Sequence, residues 1–275
     1  MDDEDLKARR QAATEADKCF TRGRLRDEFR MKPAPGAAPV KWYKGQYGKY
    51  AVYRIADCVS VRKKREPTEK QRLSGIRLAR QSRLNSARGQ VSARALSWLD
   101  KAPLFLDTET TGLGRDAQVI EIGLVDTQGL VVFETRLKPS VSIEPEALAV
   151  HGIDVLALSD EPVWPDIVPR LLQAAGNHPL VIFNADYDLR ILRQTAVAYD
   201  DPASWLDNIQ VFCAMNLAAD YFGATSRYGS ISLANAAHQA GVLWPDHAHA
   251  AVTDARVTAE VVAFIADYYR MLSAE

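Results

Sequence analysis

The chain has 275 residues, 47% hydrophobic and 25% charged, enough apolar material for one large domain or an ordinary domain with a smaller appendage. That composition excludes a mostly disordered chain, a collagen-like fibre and a disulfide-stapled miniprotein. The net charge of −1 conceals two unlike parts: residues 1–100 carry 24 Lys+Arg against 12 Asp+Glu, net +12, and residues 101–275 carry 10 against 23, net −13. Within the basic part, residues 54–94 hold 12 basic and 3 acidic side chains, a density that attracts phosphate backbones. Three scattered cysteines, Cys19, Cys58 and Cys213, match neither a disulfide framework nor a zinc spacing and fit a reducing compartment. The acidic start, Met1 to Asp5, does not read as a signal peptide, and no apolar run approaches the roughly 20 residues of a membrane span. A soluble, cytoplasmic protein without a membrane partner is therefore expected.

In chain order, residues 1–30 are highly charged, with Leu6, Phe20, Leu25 and Phe29 as isolated apolar positions, and read as a solvated helix or a partly disordered arm. Pro33, Pro35, Gly36 and Pro39 then read as a linker. Residues 41–61 read as a small aromatic β-hairpin in which Trp42, Tyr43, Tyr47, Tyr50 and Tyr53 interleave with Lys41, Lys44, Lys49 and Arg54. Two readings of that composition stay open: a stacking platform for single strands, or a minicore rimmed by lysines. Apolar residues at 73, 76, 84, 87, 91, 95 and 98 predict one or two amphipathic helices. From residue 102 the pattern becomes that of one α/β domain. Strands are expected at 103–107, 119–126, 130–138 and 180–183, and helices near 166–175, 186–197, 205–220, 231–240 and 252–272. The expected division is therefore a basic N-terminal module over 1–100 and a second domain over 101–275.

Three short segments carry the chemistry. In Asp107-Thr108-Glu109-Thr110-Thr111-Gly112-Leu113 two acids stand two residues apart at the end of an apolar strand, so they point to one face. Adjacent carboxylates repel unless a proton or cation lies between them, and hard oxygen donors suit Mg²⁺ or Mn²⁺. A strand emerging into solvent also ends in acids, so the pair alone does not decide. The second segment is Asn184-Ala185-Asp186-Tyr187-Asp188, where Asn184 suits a helix N-cap and the acids suit a first turn. The third, His249-Ala250-Ala251-Val252-Thr253-Asp254, opens the last expected helix.

Together, DTETTGL, NADYD and HAAVTD, with their acids 81 and 66 positions apart in one α/β domain, resemble the three motifs of the DnaQ-like, DEDDh exonuclease family. The resemblance covers most of residues 103–270, and His151-Gly152-Ile153 also resembles a segment common between the first two motifs. It implies a ribonuclease H-like mixed five-stranded sheet flanked by helices, preceded here by a small basic α+β module. It implies metal-binding acids at Asp107, Glu109, Asp188 and Asp254, holding two Mg²⁺ or Mn²⁺, and a general base at His249. His249 lies five positions before Asp254, as in the histidine subclass; the tyrosine subclass would need Tyr at position 250, which is Ala. His247 and Asp186 fit less well. Phe183 and Tyr187 stand where the family often has His and Phe, and neither change removes a ligand. Leu113 is expected to press on the terminal base or simply to pack, with Thr110 beside it at the substrate.

The activity implied is metal-dependent 3′→5′ hydrolysis at a single-stranded or frayed 3′ end, DNA narrowly before RNA, releasing nucleoside 5′-monophosphates. An RNA-trimming exoribonuclease and a catalytically silent nucleic-acid-binding or polymerase-docking protein are the alternatives. No polymerase-binding segment is recognisable, so a DNA polymerase partner stays open.

Overall fold

Apolar residues that look isolated in the first 60 positions find one another in space. The computed structural model describes residues 3–46, 48–61, 67–244 and 249–274, and the chain divides into two units, Met1–Arg72 and Leu73–Glu275. The first unit runs α1 (Asp3–Glu15), β1 (Cys19–Thr21), α2 (Arg22–Phe29), β2 (Met31–Pro33), β3 (Lys41–Gly45), β4 (Gly48–Arg54) and β5 (Cys58–Ser60). Its larger sheet has the order β1-β4-β3, and β2 pairs antiparallel with β5. Ala13, Phe20, Leu25, Phe29, Tyr53 and Ile55 close a small core. Residues 3–30 are therefore folded, not an arm: their few apolar side chains find partners some 30 residues further on, around Tyr53 and Ile55. Arg10 fastens α1 to the end of α2, donating from Nε to the Phe29 carbonyl at 2.7 Å and from Nη2 to that of Arg30 at 3.1 Å.

A long helix, α3 (Glu69–Leu84), crosses the division and leads into α4 (Ala87–Leu99). Contrary to its amphipathic pattern, α3 leaves Leu73, Ile76 and Leu78 exposed, whereas α4 buries Ala95 and Trp98 in the core of the second unit. The two compact units meet at 72/73, and α4 is part of the larger core. Several arginines of the basic stretch are held there too. Arg80 donates to the Leu272 and Ser273 carbonyls, Arg88 lies over the rings of Tyr221 and Tyr268, and Arg94 pairs with Asp220.

The second unit continues with β6 (Leu104–Thr110), β7 (Val119–Val125), β8 (Val131–Arg136), α5 (Pro145–His151), α6 (Trp164–Ala175), β9 (Leu180–Ile182) and α7 (Ala185–Val197). It ends with β10 (Val211–Cys213), α8 (Ala214–Phe222), α9 (Leu233–Ala240) and α10 (Ala251–Ala274). The five strands form a mixed sheet, β10-β9-β6-β7-β8, with β10, β9 and β6 parallel and β7 and β8 antiparallel to their neighbours. One face is covered by α4, α8, α9 and α10, the other by α6 and α7. This is the ribonuclease H-like sheet the motifs imply. Its fifth strand lies where a helix over 205–220 was expected: a 3₁₀ turn, Ser204–Asp207, precedes β10, and helix begins only at Ala214. Helix α5 was not anticipated from the pattern. Among the described residues, no helix is long and apolar enough to cross a membrane.

Candidate active site

Central strand β6 places Asp107 and Glu109 on one face by simple alternation. A register shift against β7 between Glu109 and Thr110 ends the regular ladder just past the second acid, as bulges beside functional sites often do. The third acid arrives from the other end of the chain. Asp107 lies opposite Gly123 of β7, and a Cβ on Gly123 would sit only 2.4 Å from the Val252 nitrogen. A glycine there is what lets the first turn of α10 lie against the sheet, carrying Asp254 to the two β6 carboxylates. The carboxylates of Asp107, Glu109 and Asp254 offer oxygens that all lie within 4.8 Å of one another.

Asp188, in the first turn of α7, is buried just outside that trio and accepts a 2.8 Å hydrogen bond from the Thr108 hydroxyl. Asn184 does precede α7, but in a left-handed conformation (φ 66°) and without a side-chain cap bond. Asp186 lines a separate surface hollow with Arg115 and Arg193. His249 is half-exposed, in the left-handed region (φ 71°), with Nδ1 3.9 Å from Asp254 Oδ2. The buried Oδ1 of Asp254 has no hydrogen-bond partner. His247 lies outside the described residues.

The crowding of acids has a clear electrostatic signature. Burial, then the charges of Asp188, Asp254, Glu109 and Glu121, push Asp107 well above the usual carboxylate range. Burial and the facing acids raise Glu109 from 4.5 to about 8. Burial raises Asp188 from 3.8 to about 7 against the lowering effect of Thr108, and raises Asp254 against His249. An arrangement of carboxylates that cannot comfortably all ionise, with one oxygen unpartnered, fits a divalent cation.

A cleft of about 450 Å³ opens beside the acids, lined by Glu109, Thr110, Leu113, Val150, His151 and Tyr187 among others. Leu113 is 75% exposed there. The Thr110 hydroxyl is buried and already engaged, 2.7 Å from the Tyr187 hydroxyl and 3.1 Å from the Gly112 carbonyl. His151 holds the cleft wall: its Nδ1 accepts the Ile153 N–H at 3.0 Å, so the ring proton is on Nε2 and donates to the Thr110 carbonyl at 3.2 Å. Burial lowers its pKa, in line with the neutral ring that this bonding pattern requires.

The motif reading passed over Glu121. It is buried opposite Glu109, accepts the Ala251 N–H on Oε1 at 3.0 Å and receives Arg136 Nε on Oε2 at 2.9 Å. It thus pins the start of α10, three residues before Asp254. The available signal was a lone acid inside an otherwise apolar strand, Val119-Ile-Glu-Ile-Gly-Leu-Val125.

The family model described as Exonuclease matches residues 104–262, more than half of the chain. The chain belongs to the DnaQ-like, DEDDh exonuclease family. An Escherichia phage 186 protein named uncharacterized exonuclease CP81 is 38% identical to this chain over 178 residues, 62% of this chain and 92% of that one. Uncharacterized protein pSLT049 of Salmonella typhimurium LT2 is 59% identical over 122 residues, 44% of this chain and 88% of that one. The structure described as 3′-end specific recognition of a histone mRNA stem-loop by 3′-exonuclease shares the fold. Its TM-score is 0.50 at 10% identity, covering 70% of this chain and 85% of that chain.

Proposed function

We propose that the chain is a metal-dependent 3′→5′ exonuclease that removes nucleoside 5′-monophosphates from single-stranded or frayed 3′ ends, DNA before RNA. The observation that carries this reading is the convergence of Asp107, Glu109 and Asp254 within 4.8 Å beside an open cleft. In it, Asp107, Glu109, Asp254 and the neighbouring Asp188 hold Mg²⁺ or Mn²⁺, two ions in the family's scheme. Bound cations supply the positive charge that offsets these acids and the phosphodiester, and they acidify water.

The chain's own residues do the rest. Exposed Leu113 and the cleft wall of Val150 and Tyr187 receive the terminal base and sugar. Thr110, its hydroxyl turned inward, shapes the wall through its backbone and methyl group. His249, free to face solvent beside Asp254, takes the proton of the attacking water. The new P–O bond forms as the bond from phosphorus to the 3′-oxygen of the preceding nucleotide breaks. That oxygen leaves as a hydroxyl, so each turn exposes a fresh 3′ end. Asp254, whose Oδ2 lies 3.9 Å from Nδ1 of His249, faces the ring.

Matched single-stranded DNA and RNA oligomers, incubated with Mg²⁺, Mn²⁺ or EDTA, test the reading beside Asp107→Ala and His249→Ala. Metal-dependent release of mononucleotides, lost in both variants and faster on DNA, is expected. Binding without cleavage under every condition would overturn it.

A further inference from the structure

Hairpin β3–β4 forms the outer part of the three-stranded sheet, with β3 at its edge. Alternation sorts its side chains onto two faces: Lys41, Tyr43 and Tyr50 on one, Trp42, Lys44, Lys49 and Tyr53 on the other. On the first face the groups are occupied with one another. Tyr43 and Tyr50 stack at 5.6 Å, the Lys41 ammonium lies 5.2 Å from the Tyr43 ring, and Arg54 pairs with Asp17 at 2.9 Å. On the second face Tyr53 belongs to the core. Trp42, in contrast, is 60% exposed and stacks on no ring among the described residues. Lys49 makes no ion pair among the described residues. With Arg22, whose guanidinium lies 5.2 Å from the Tyr53 ring, these two line a cleft of about 360 Å³ that Tyr50 also borders and to which no carboxylate contributes.

We propose that this cleft binds single-stranded nucleic acid, one base stacking on Trp42 while Arg22 and Lys49 meet the sugar-phosphate backbone. Charge complementarity selects the occupant. Residues 1–72 carry 19 Lys+Arg against 11 Asp+Glu, net +8, and residues 73–275 carry 15 against 24, net −9. An exposed indole sharing a cleft with two cations fits an unstacked base and its phosphates, since every base has a π-face and single strands offer it freely. A duplex keeps those faces stacked and offers Trp42 nothing. The proposal rests on the exonuclease reading only for why the chain needs a second grip: a strongly acidic catalytic unit gains from a basic one that holds the strand.

The test is binding of a fluorescein-labelled 12-nucleotide oligo(dT) and a matched duplex to the full-length protein in EDTA, over a series of salt concentrations. Trp42→Ala is expected to weaken single-strand binding roughly tenfold, and Trp42→Phe, which keeps an aromatic plane, to recover most of it. In the Arg22→Gln, Lys49→Gln double variant the slope of log affinity against log salt should fall by about 1.4. Tyr43→Ala, on the opposite face, should bind like the wild type. Melting curves identify any variant that fails to fold, and the double variant stands independently of the tryptophan changes. Wild-type affinity in Trp42→Ala, an unchanged salt slope in the double variant, an equal loss in Tyr43→Ala, or displacement by poly-glutamate as effective as by oligo(dT) would each overturn the proposal. Because EDTA stops metal-dependent cleavage, Trp42-dependent binding by a protein that degrades neither DNA nor RNA would refute the exonuclease reading alone.

Discussion

Acidification should stabilise the metal-free protein, opposite to the behaviour of a fold whose acids are salt-bridged. Glu109 rises from 4.5 to about 8 and Asp188 from 3.8 to about 7, with Asp107 and Asp254 also raised, chiefly by burial and then by facing charges or against hydrogen bonds. Folded-state values above the unfolded ones mean that, between about pH 4 and 8, the folded state holds protons the unfolded state has released. Stability from this source is full below that window and is lost as pH rises through it. For Glu109 alone the displacement corresponds to at most about 5 kcal/mol. The acids share one mutual repulsion, so their effects do not add, and about 3–5 kcal/mol is the expected span for the cluster. For a unit of this size that is on the order of 10 °C in Tm. Differential scanning calorimetry in EDTA should therefore show Tm rising by about that much from pH 8 to pH 5. Glu109→Gln should raise Tm at pH 8 and flatten the dependence, and Mg²⁺ should raise Tm at pH 8 in the wild type by binding only the folded cluster. A wild-type Tm that falls on acidification, and that Glu109→Gln leaves unmoved, would refute the electrostatic account of the site.

Three further outcomes follow from the geometry. Gly123→Ala puts a methyl against the Val252 nitrogen and should displace the first turn of α10, costing about 2 kcal/mol or more and most of the Mn²⁺ affinity seen by calorimetry. Glu121→Ala leaves Arg136 and the Ala251 N–H without their shared acceptor and should destabilise by about 2–4 kcal/mol in denaturant melts. Glu121→Gln, which keeps an acceptor for Ala251, should cost clearly less. Leu113→Ala removes an exposed side chain, so stability should stay within about 0.5 kcal/mol, while KM for oligomers rises several-fold as steady-state kinetics record.

The acids that converge were legible because each sits in a short motif whose geometry is local: alternation along β6 and the opening turns of α7 and α10. What the sequence concealed was non-local. Strand β10 is three residues long and abuts the apolar run of α8, so a helical period over 205–220 absorbed it. Residues 3–30 looked like an arm because Leu25 and Phe29 are separated in sequence from Tyr53 and Ile55, the residues that complete their core. Trp42 and Tyr53 looked alike in one aromatic run, and only the fold divides them into an exposed ring and a buried one. Glu121 showed only as a lone acid in an apolar strand and Gly123 not at all, because their partner, the start of α10, lies some 130 positions away.

The most direct test of the central claim is the cleavage pattern of a 5′-labelled single-stranded oligomer in Mg²⁺, followed at single-nucleotide resolution. The account predicts a descending ladder shortened one nucleotide at a time from the 3′ end, absent with EDTA and absent in Asp107→Ala. Release of the 5′ label as a mononucleotide at the earliest times, or internal cuts without a ladder, would contradict it.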